Sequence, residues 1–343
     1  MMNSLDPLKV SSYHYELPQE LIATAPHFPK GEQKLLVYIR KDKKILHTRF
    51  KNIFDFIPKE SAVILNDTKV IKARIYGHKD TGGKIELLIN SPLQNNIFLV
   101  YIRGKVKNGT IINFDHDLQA EVIKLNPDGT REVVFYQKEK VLDFENLNKI
   151  LEDIGHIPLP PYIKREDKKE DETNYQTLFA KNIGAVAAPT ASLHFDEKSF
   201  SKLKSDYETK FITLHVGAGT FKSIEVEDIN KHTMHSEWYN IPQDTKELID
   251  SNKHLLAVGT TVTRTIEFYY REKKVTGYSN LFLHPKNPPI RVNSLLTNFH
   301  LPSSTLIMLV AGFTSLEEVL KIYNEAVQKR YKFYSYGDSM LII

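Results

Sequence analysis

The chain contains no cysteine and one tryptophan, and its longest clean apolar run is Leu306–Phe313. Without cysteine there is no disulfide, no thiolate nucleophile, no cysteine-ligated zinc and no iron–sulfur cluster. The apolar run falls far short of the ~20 residues that a membrane helix needs. No apolar stretch follows Met1, so no signal peptide is expected. These absences point to a cytoplasmic protein that is not membrane-bound. A strong excess of one charge is also missing. Lys plus Arg total 46 against 42 Asp plus Glu, for a net charge of +4. That excludes a uniformly basic surface, so a polyanionic partner has to be met by local patches. What is present is a 343-residue chain that is 41% hydrophobic, enough for about two globular domains.

The texture changes along the chain. Lys34–Arg40 and Ile45–Phe50 flank a polar turn and read as a hairpin. Ala62–Leu65 is a short apolar strand. Six β-rich runs follow without a helix between them: Val70–Tyr76, Ile85–Ile89, Ile97–Ile102, Thr110–Phe114, Gln119–Leu125 and Arg131–Tyr136. Turn signals at Gly82-Gly83, Asn108-Gly109 and Asp128-Gly129 separate them. Such a set predicts a small closed barrel. Beyond Val141, helical periods alternate with strands at Phe211–Val216 and Leu255–Val258. The fold class expected is α/β, a three-layer α/β/α sandwich with an inserted all-β barrel. The sandwich is residues 1–71 and 153–343 and the barrel is residues 72–152. The charged stretch Lys164–Glu172 lacks an apolar anchor and reads as a solvated loop.

Several segments carry polar groups where chemistry needs them. Gly184–Phe195 sets Thr190, Ser192 and His194 among small residues and Pro189. A histidine there serves packing or proton transfer, its ordinary pKa of about 6.5 suiting the latter. Thr213–Thr220 runs an apolar strand through His215 into Gly217-Ala-Gly219, a turn that exposes N–H groups to a ligand. It is not a dinucleotide fingerprint, because Lys222 stands where the third glycine belongs and no helix start follows. His232, His235 and Glu237 are spaced closely, but not in the helical zinc pattern. No metal site is expected. Ala257–Glu267 hands Thr260 and Thr261 from Gly259 to a helix N-terminus, which favours an anion or is simply capped. Asn298 and His300 precede an apolar helix. Lys329–Asp338 interleaves cations with aromatics, which suits phosphate contact with base stacking or a strand with a cationic outer face.

Taken in order, these segments resemble one family, the S-adenosylmethionine:tRNA ribosyltransferase-isomerases of the queuosine pathway. The resemblance is carried by Tyr15–Ala23, Leu65-Asn-Asp-Thr-Lys-Val70 with Arg74, Gly82-Gly-Lys-Ile-Glu86, Pro158–Ile163 and Tyr175-Gln-Thr177. It continues in Val186–Ala191, Leu193-His-Phe195, Thr213–Phe221, Met234-His-Ser-Glu237, Ala257–Thr261 with Arg264, Thr297–Pro302 and Tyr336–Leu341. The chain departs from the family's usual pattern at Lys34, Ala185, Ser192, Val262 and Asn293.

The resemblance implies transfer and isomerisation of the ribosyl moiety of S-adenosylmethionine onto 7-aminomethyl-7-deazaguanine at the tRNA wobble position. The product is epoxyqueuosine-tRNA, with adenine and methionine released. S-adenosylmethionine is then a co-substrate, and no cofactor is required. The sulfonium acidifies C5′–H, so a base is needed, and the departing adenine needs an acid. The resemblance leads us to expect His194 and His215 as proton-transfer groups and Glu237 or Asp67 on the sugar hydroxyls. Thr260, Thr261 and Arg264 are expected on the methionine carboxylate. Further substrate contacts are expected from Thr190, Gly217, Gly219, Thr220, His235, Asn298, His300 and Asp338. The tRNA is expected on Arg74, Lys329, Arg330 and Lys332, with Lys69 and Lys72 as a second patch. A monomer is expected. Two rival readings are an S-adenosylmethionine-dependent tRNA methyltransferase and a non-catalytic RNA-binding protein.

Overall fold

Hairpin strands β1 (Lys34–Ile39) and β2 (Lys44–Arg49) pair in antiparallel register, with Lys43 in the left-handed region at the turn. This is seen in a computed structural model that describes residues 5–221 and 224–343. Lys222, the residue at which the dinucleotide fingerprint fails, lies outside the described residues. β3 (Ala62–Asn66) is buried throughout, and β4 (Thr68–Val70) turns away from it.

The barrel follows. Its strands are β5 (Arg74–Lys79), β6 (Lys84–Pro92), β7 (Ile97–Arg103), β8 (Ile111–Asn113), β9 (Leu118–Leu125) and β10 (Arg131–Gln137). β10 pairs with both β7 and β9, which closes six antiparallel strands and leaves no free edge. A two-residue β11 (Lys140–Val141) is appended to β10. Helix α1 (Phe144–Ile154) starts on Asp143, whose side chain accepts the Asn146 N–H. It lays Leu147 and Leu151 against the barrel core around Phe98 and Phe135. The first barrel strand does not include Val70. Thr68–Val70 pairs instead with β12 (Asn182–Ala185), and the Ile71 N–H donates to the Ala185 carbonyl.

The charged stretch is a largely exposed loop up to residue 170, as expected, but it is anchored at Asp167 and Asp171. Asp171, at the start of the short helix α2 (Asp171–Asn174), is 2% exposed and takes a bidentate contact from Arg165 at 2.6 and 2.8 Å. Asp167 accepts the Ile157 N–H and pairs with His156. The anchors are charge-assisted hydrogen bonds rather than apolar side chains, so hydropathy does not reveal them.

The remaining elements are α3 (Glu197–Asp206), β13 (Glu208–Leu214), β14 (Glu237–Asn240), α4 (Gln243–Asp250), β15 (Leu255–Val258), α5 (Thr260–Glu272), β16 (Thr276–Ser279), β17 (Ser294–Asn298), α6 (Thr305–Phe313), α7 (Leu316–Gln328) and β18 (Ser339–Ile342). They complete a nine-stranded sheet in the order β16-β14-β13-β3-β15-β17-β18-β1-β2. Alternation along β3 sorts its two faces. Ala62 and Ile64 join the core that contains Val262 and Ile266 of α5, while Val63 and Leu65 join Phe50, Ile53 and Leu203. Two apolar faces, each covered, make the three layers of the sandwich. Among the described residues, no helix is long and apolar enough to cross a membrane.

The four strands β13, β3, β15 and β17 run parallel. β13 and β15 lie on opposite sides of β3, so their connections diverge at the carboxyl edge and open a crevice there. The barrel leaves the sandwich at that same edge, and Val186 and Ala218 pack into the barrel's apolar cluster.

Candidate active site

The carboxyl ends of the parallel strands carry the polar residues. Asn66 ends β3 with a fully buried amide. Its Nδ2 donates to the Leu214 carbonyl at 3.0 Å, and its Oδ1 accepts the Leu214 and Thr68 N–H groups. This knot fixes the end of β13 beside β3. Beyond β15, Gly259 adopts φ 101°, a region costly for any side chain, and turns the chain directly into α5. Beyond β17, Asn298 and His300 lead to α6, where the Ser304 hydroxyl accepts the Ile307 N–H.

Between these ends lies a cavity of about 260 Å³. Thr190, Thr220, Thr260, Thr261, Asn298 and His300, all predicted to meet substrate, line it. Apolar wall comes from Ala187, Ala188, Val216, Leu301 and Leu306. Two helix N-termini reach the cavity, α5 through Gly259–Thr261 and α6 through Ser303 and Ser304. Among the described residues its wall has no Lys, Arg, Asp or Glu. A charged ligand is therefore met by hydroxyls, amides and helix dipoles.

The four side chains expected to act as catalysts do not line this cavity. His194 and Glu237 each bond to a residue of its wall, whereas His215 and Asp67 are held by residues outside it. His194 is 3% exposed, packs on Phe50, and meets Asn298 Nδ2 through Nε2 at 3.1 Å. Burial, with nearby Lys30 adding to it, lowers its pKa to about 3. His215 stacks on Trp238 with ring centroids 4.9 Å apart, and its Nδ1 sits 2.8 Å from Thr68 Oγ1. A Cβ on Gly184 would come within 2.7 Å of its ring, so only glycine fits there. Burial lowers the His215 pKa to about 4, although Asp67 opposes the shift. Asp67 accepts hydrogen bonds from Asn182 at 3.0 Å and Thr213 at 2.6 Å.

Glu237 is 3% exposed. Its Oε1 accepts the Gly217 N–H at 3.0 Å and the Thr220 hydroxyl at 3.4 Å, and its Oε2 pairs with Arg264 at 2.8 Å. Arg264 is thus a partner of Glu237, not an open cation at the α5 N-terminus. The Gly217 and Ala218 N–H groups are not offered to a ligand either. Glu237 takes one and Asn90 of the barrel takes the other. Gly219 is required because a Cβ there would meet the His235 ring at 2.8 Å. His235 Nε2 lies 3.7 Å from Glu237. His232 lies apart, edge-on to Phe282. Among the described residues, no three His, Asp or Glu side chains converge as metal ligands do.

Asp338 is not among the cavity residues. Its two carboxylate oxygens accept the Lys34 and Lys332 N–H groups, each at 2.7 Å, and tie β1 to the C-terminal segment. Burial raises its pKa. Lys34 itself donates Nζ to the Lys329 and Arg330 carbonyls and so closes the C-terminus of α7.

His300 alone among the expected histidines is part of the cavity wall. Its Nε2 lies 2.9 Å from Thr297 Oγ1, and its carbonyl accepts the Tyr15 hydroxyl. Burial lowers its pKa to about 3. Tyr175, Tyr334 and Ser335 also line the cavity, and sequence reading gave none of them a substrate role. Tyr334 has φ 74°, and its ring packs against Tyr162 at a tilt of 41°, with centroids 4.0 Å apart. Its place inside an apparent RNA-stacking string hid it.

That string does not stack RNA through Tyr331 or Phe333. Both are core residues, 1% and 0% exposed. The neighbouring cations do face outward. Lys332 Nζ reaches the Glu20 carbonyl, and Arg330 lies 3.9 Å from the Glu20 carboxylate. Arg74, the other expected tRNA contact, is half-buried and pairs with Glu86 at 3.2 Å.

Comparison with known proteins agrees with this architecture. The family model described as "Queuosine biosynthesis protein" matches residues 10–342. An S-adenosylmethionine:tRNA ribosyltransferase-isomerase of Nitratiruptor sp. is 60% identical, over 99% of this chain and all of that one. The proteins of that name from Campylobacter fetus and Aliarcobacter butzleri are each 58% identical, over at least 98% of this chain and 99% of the relative. A crystal structure of the S-adenosylmethionine tRNA ribosyltransferase of Thermotoga maritima is 31% identical over 97% of this chain and all of that one, with a TM-score of 0.54. Matched nearly end to end in sequence and along the same α/β-plus-barrel fold, the chain belongs to the queuosine biosynthesis protein family, that of the S-adenosylmethionine:tRNA ribosyltransferase-isomerases.

Proposed function

We propose that this protein transfers and isomerises the ribosyl moiety of S-adenosylmethionine onto the aminomethyl group of 7-aminomethyl-7-deazaguanine in the tRNA anticodon. Epoxyqueuosine-tRNA, adenine and methionine are the products. The observation that carries the chemical assignment is the uncharged, hydroxyl-rich cavity faced by two helix N-termini.

S-adenosylmethionine brings its own charges, a sulfonium, an ammonium and a carboxylate. A cavity of dipoles can take all three without a like-charge clash. The carboxylate sits at the α5 N-terminus with Thr260 and Thr261. His300, neutral at physiological pH, presents an uncharged imidazole that does not repel the sulfonium. Thr190, Tyr175 and Ser335 supply hydroxyls for the sugar. Asn298, with Nδ2 held by His194 and the Tyr334 carbonyl, offers a fixed carbonyl that already binds Thr190. His194 acts through Asn298 and Glu237 through Thr220, setting the geometry of those two wall residues.

The tRNA approaches where barrel and sandwich meet at the sheet's carboxyl edge, with Lys329, Arg330 and Lys332 as phosphate contacts. The protein works in the cytoplasm as a monomer. Incubating it with labelled S-adenosylmethionine and tRNA carrying the 7-aminomethyl base tests the reaction. Equal yields of free adenine and methionine are expected, and S-adenosylhomocysteine as product would overturn the reading.

A further inference from the structure

Asn90 is the one barrel side chain hydrogen-bonded to the glycine turn in the described structure, and the backbone is bent to bring it there. β6 pairs with β7 in regular register up to Ile89↔Val100 and resumes at Ser91↔Leu99. Asn90 is therefore the extra residue of a bulge. A bulge re-aims a side chain that regular pleating would send elsewhere, and bulges gather beside active sites. Here the re-aimed amide leaves the barrel. Its Oδ1 accepts the Ala218 N–H at 2.9 Å. A Cβ on Gly217 would lie 3.1 Å from the same oxygen, so the Asn90 side chain is in close approach to the backbone of the turn. Ala218 itself is buried in the barrel's apolar cluster.

We propose that Asn90 is a positioning residue for the reaction, one that acts through the turn and does not touch substrate. The turn is clamped from two sides. Glu237, in the sandwich, holds the Gly217 N–H and the Thr220 hydroxyl. Asn90, in the barrel, holds the Ala218 N–H. Thr220 and Val216, at the two ends of the clamped segment, are wall residues of the cavity. The barrel thus sets the shape of the S-adenosylmethionine pocket through one side-chain acceptor. Without that acceptor the Ala218 N–H is left buried against apolar barrel residues, which favours a displaced turn.

The inference rests on the reaction proposed above, and one experiment separates the two. Wild type, Asn90→Leu and Asn90→Asp are compared for adenine release with the modified tRNA and for melting temperature. Asp keeps an acceptor in the same place, whereas Leu does not. The Leu variant is expected to lose about tenfold in kcat/KM for S-adenosylmethionine while its KM for tRNA stays within twofold. The Asp variant is expected to recover to within about threefold of wild type. Wild-type activity from the Leu variant would overturn the role of Asn90, as would equal losses in both variants at unchanged melting temperature. A Leu variant that does not fold leaves the Asp variant to decide, and a tenfold loss there in folded protein also overturns it. Failure of the wild type to release adenine would instead overturn the reaction.

Discussion

His194 Nε2 and Asn298 Nδ2 are 3.1 Å apart, and among the described residues this is the hydrogen bond that joins His194 to the cavity wall. The histidine thereby fixes which way Asn298 turns, with Oδ1 toward Thr190.

His194→Ala should therefore behave as the loss of an orienting hydrogen bond. That corresponds to a fall of about 2- to 10-fold in kcat/KM, from roughly 0.5–1.5 kcal/mol. A general acid or base would lose about 10²- to 10⁴-fold. Asn298→Ala and the double variant complete a cycle. The double variant should be no worse than Asn298→Ala alone, and full additivity of the two losses would show that His194 acts independently.

Two buried histidines and a half-buried one make stability depend on pH. His194 and His300, with pKa about 3, and His215, at about 4, stay neutral in the fold while an unfolded chain protonates near 6.5. Because their folded pKa is depressed, the stability is present above pH 6.5 and is lost as pH falls toward 3–4. Each group contributes a slope of at most about 1.4 kcal/mol per pH unit in that window. Urea midpoints should fall steadily between pH 7.5 and pH 5.0. A flat midpoint across that interval would contradict neutral burial of these rings.

The uncharged cavity makes a specific demand on the ligand's carboxylate. Decarboxylated S-adenosylmethionine should bind about 10- to 100-fold more weakly, since a hydrogen bond to a charged group contributes about 1.5–3 kcal/mol. Thr260→Ala should narrow the gap between the two ligands. Calorimetric titration reads both, and equal affinity for them would move the carboxylate away from α5.

For tRNA, Lys329 is the cation to test first, because Lys332 and Arg330 are turned toward Glu20. Lys329→Ala should lower the salt slope of tRNA binding by roughly 0.7–0.9, the value for one phosphate contact. It should leave S-adenosylmethionine affinity unchanged. An unaltered slope would remove this end of α7 from the interface.

The strand pattern, the closed barrel and the hydroxyl-rich helix start at Gly259 were legible because each follows from local chemistry, namely alternation, turn residues and one left-handed glycine. Side-chain aim was not. His194 and His215 sit in segments that do reach the cavity, but one residue's rotation decides whether a ring faces ligand or not. The cation–aromatic string around Tyr331 has the same ambiguity, since outward cations alternating with core aromatics give the same spelling as a nucleic-acid patch. The anchors Arg165–Asp171 and Asn90–Ala218 depend on pairings between separated residues that no local pattern displays.

The barrel's place of insertion also bears on the order in which the chain assembles. Asn66 and Leu214, which knot the ends of β3 and β13, are 148 residues apart in sequence. Closing a flexible loop of that length costs on the order of 4 kcal/mol in entropy before any strand contact returns it. A barrel that folds first brings its own ends together, where Arg74 and His156 exchange backbone hydrogen bonds, and the remaining span becomes far shorter. On that order of events the inserted domain would act as a local nucleus for the central pairing of the larger one. Mutations in the barrel turns that slow its folding should slow the appearance of the whole sandwich during synthesis, while leaving the finished sheet's own contacts intact.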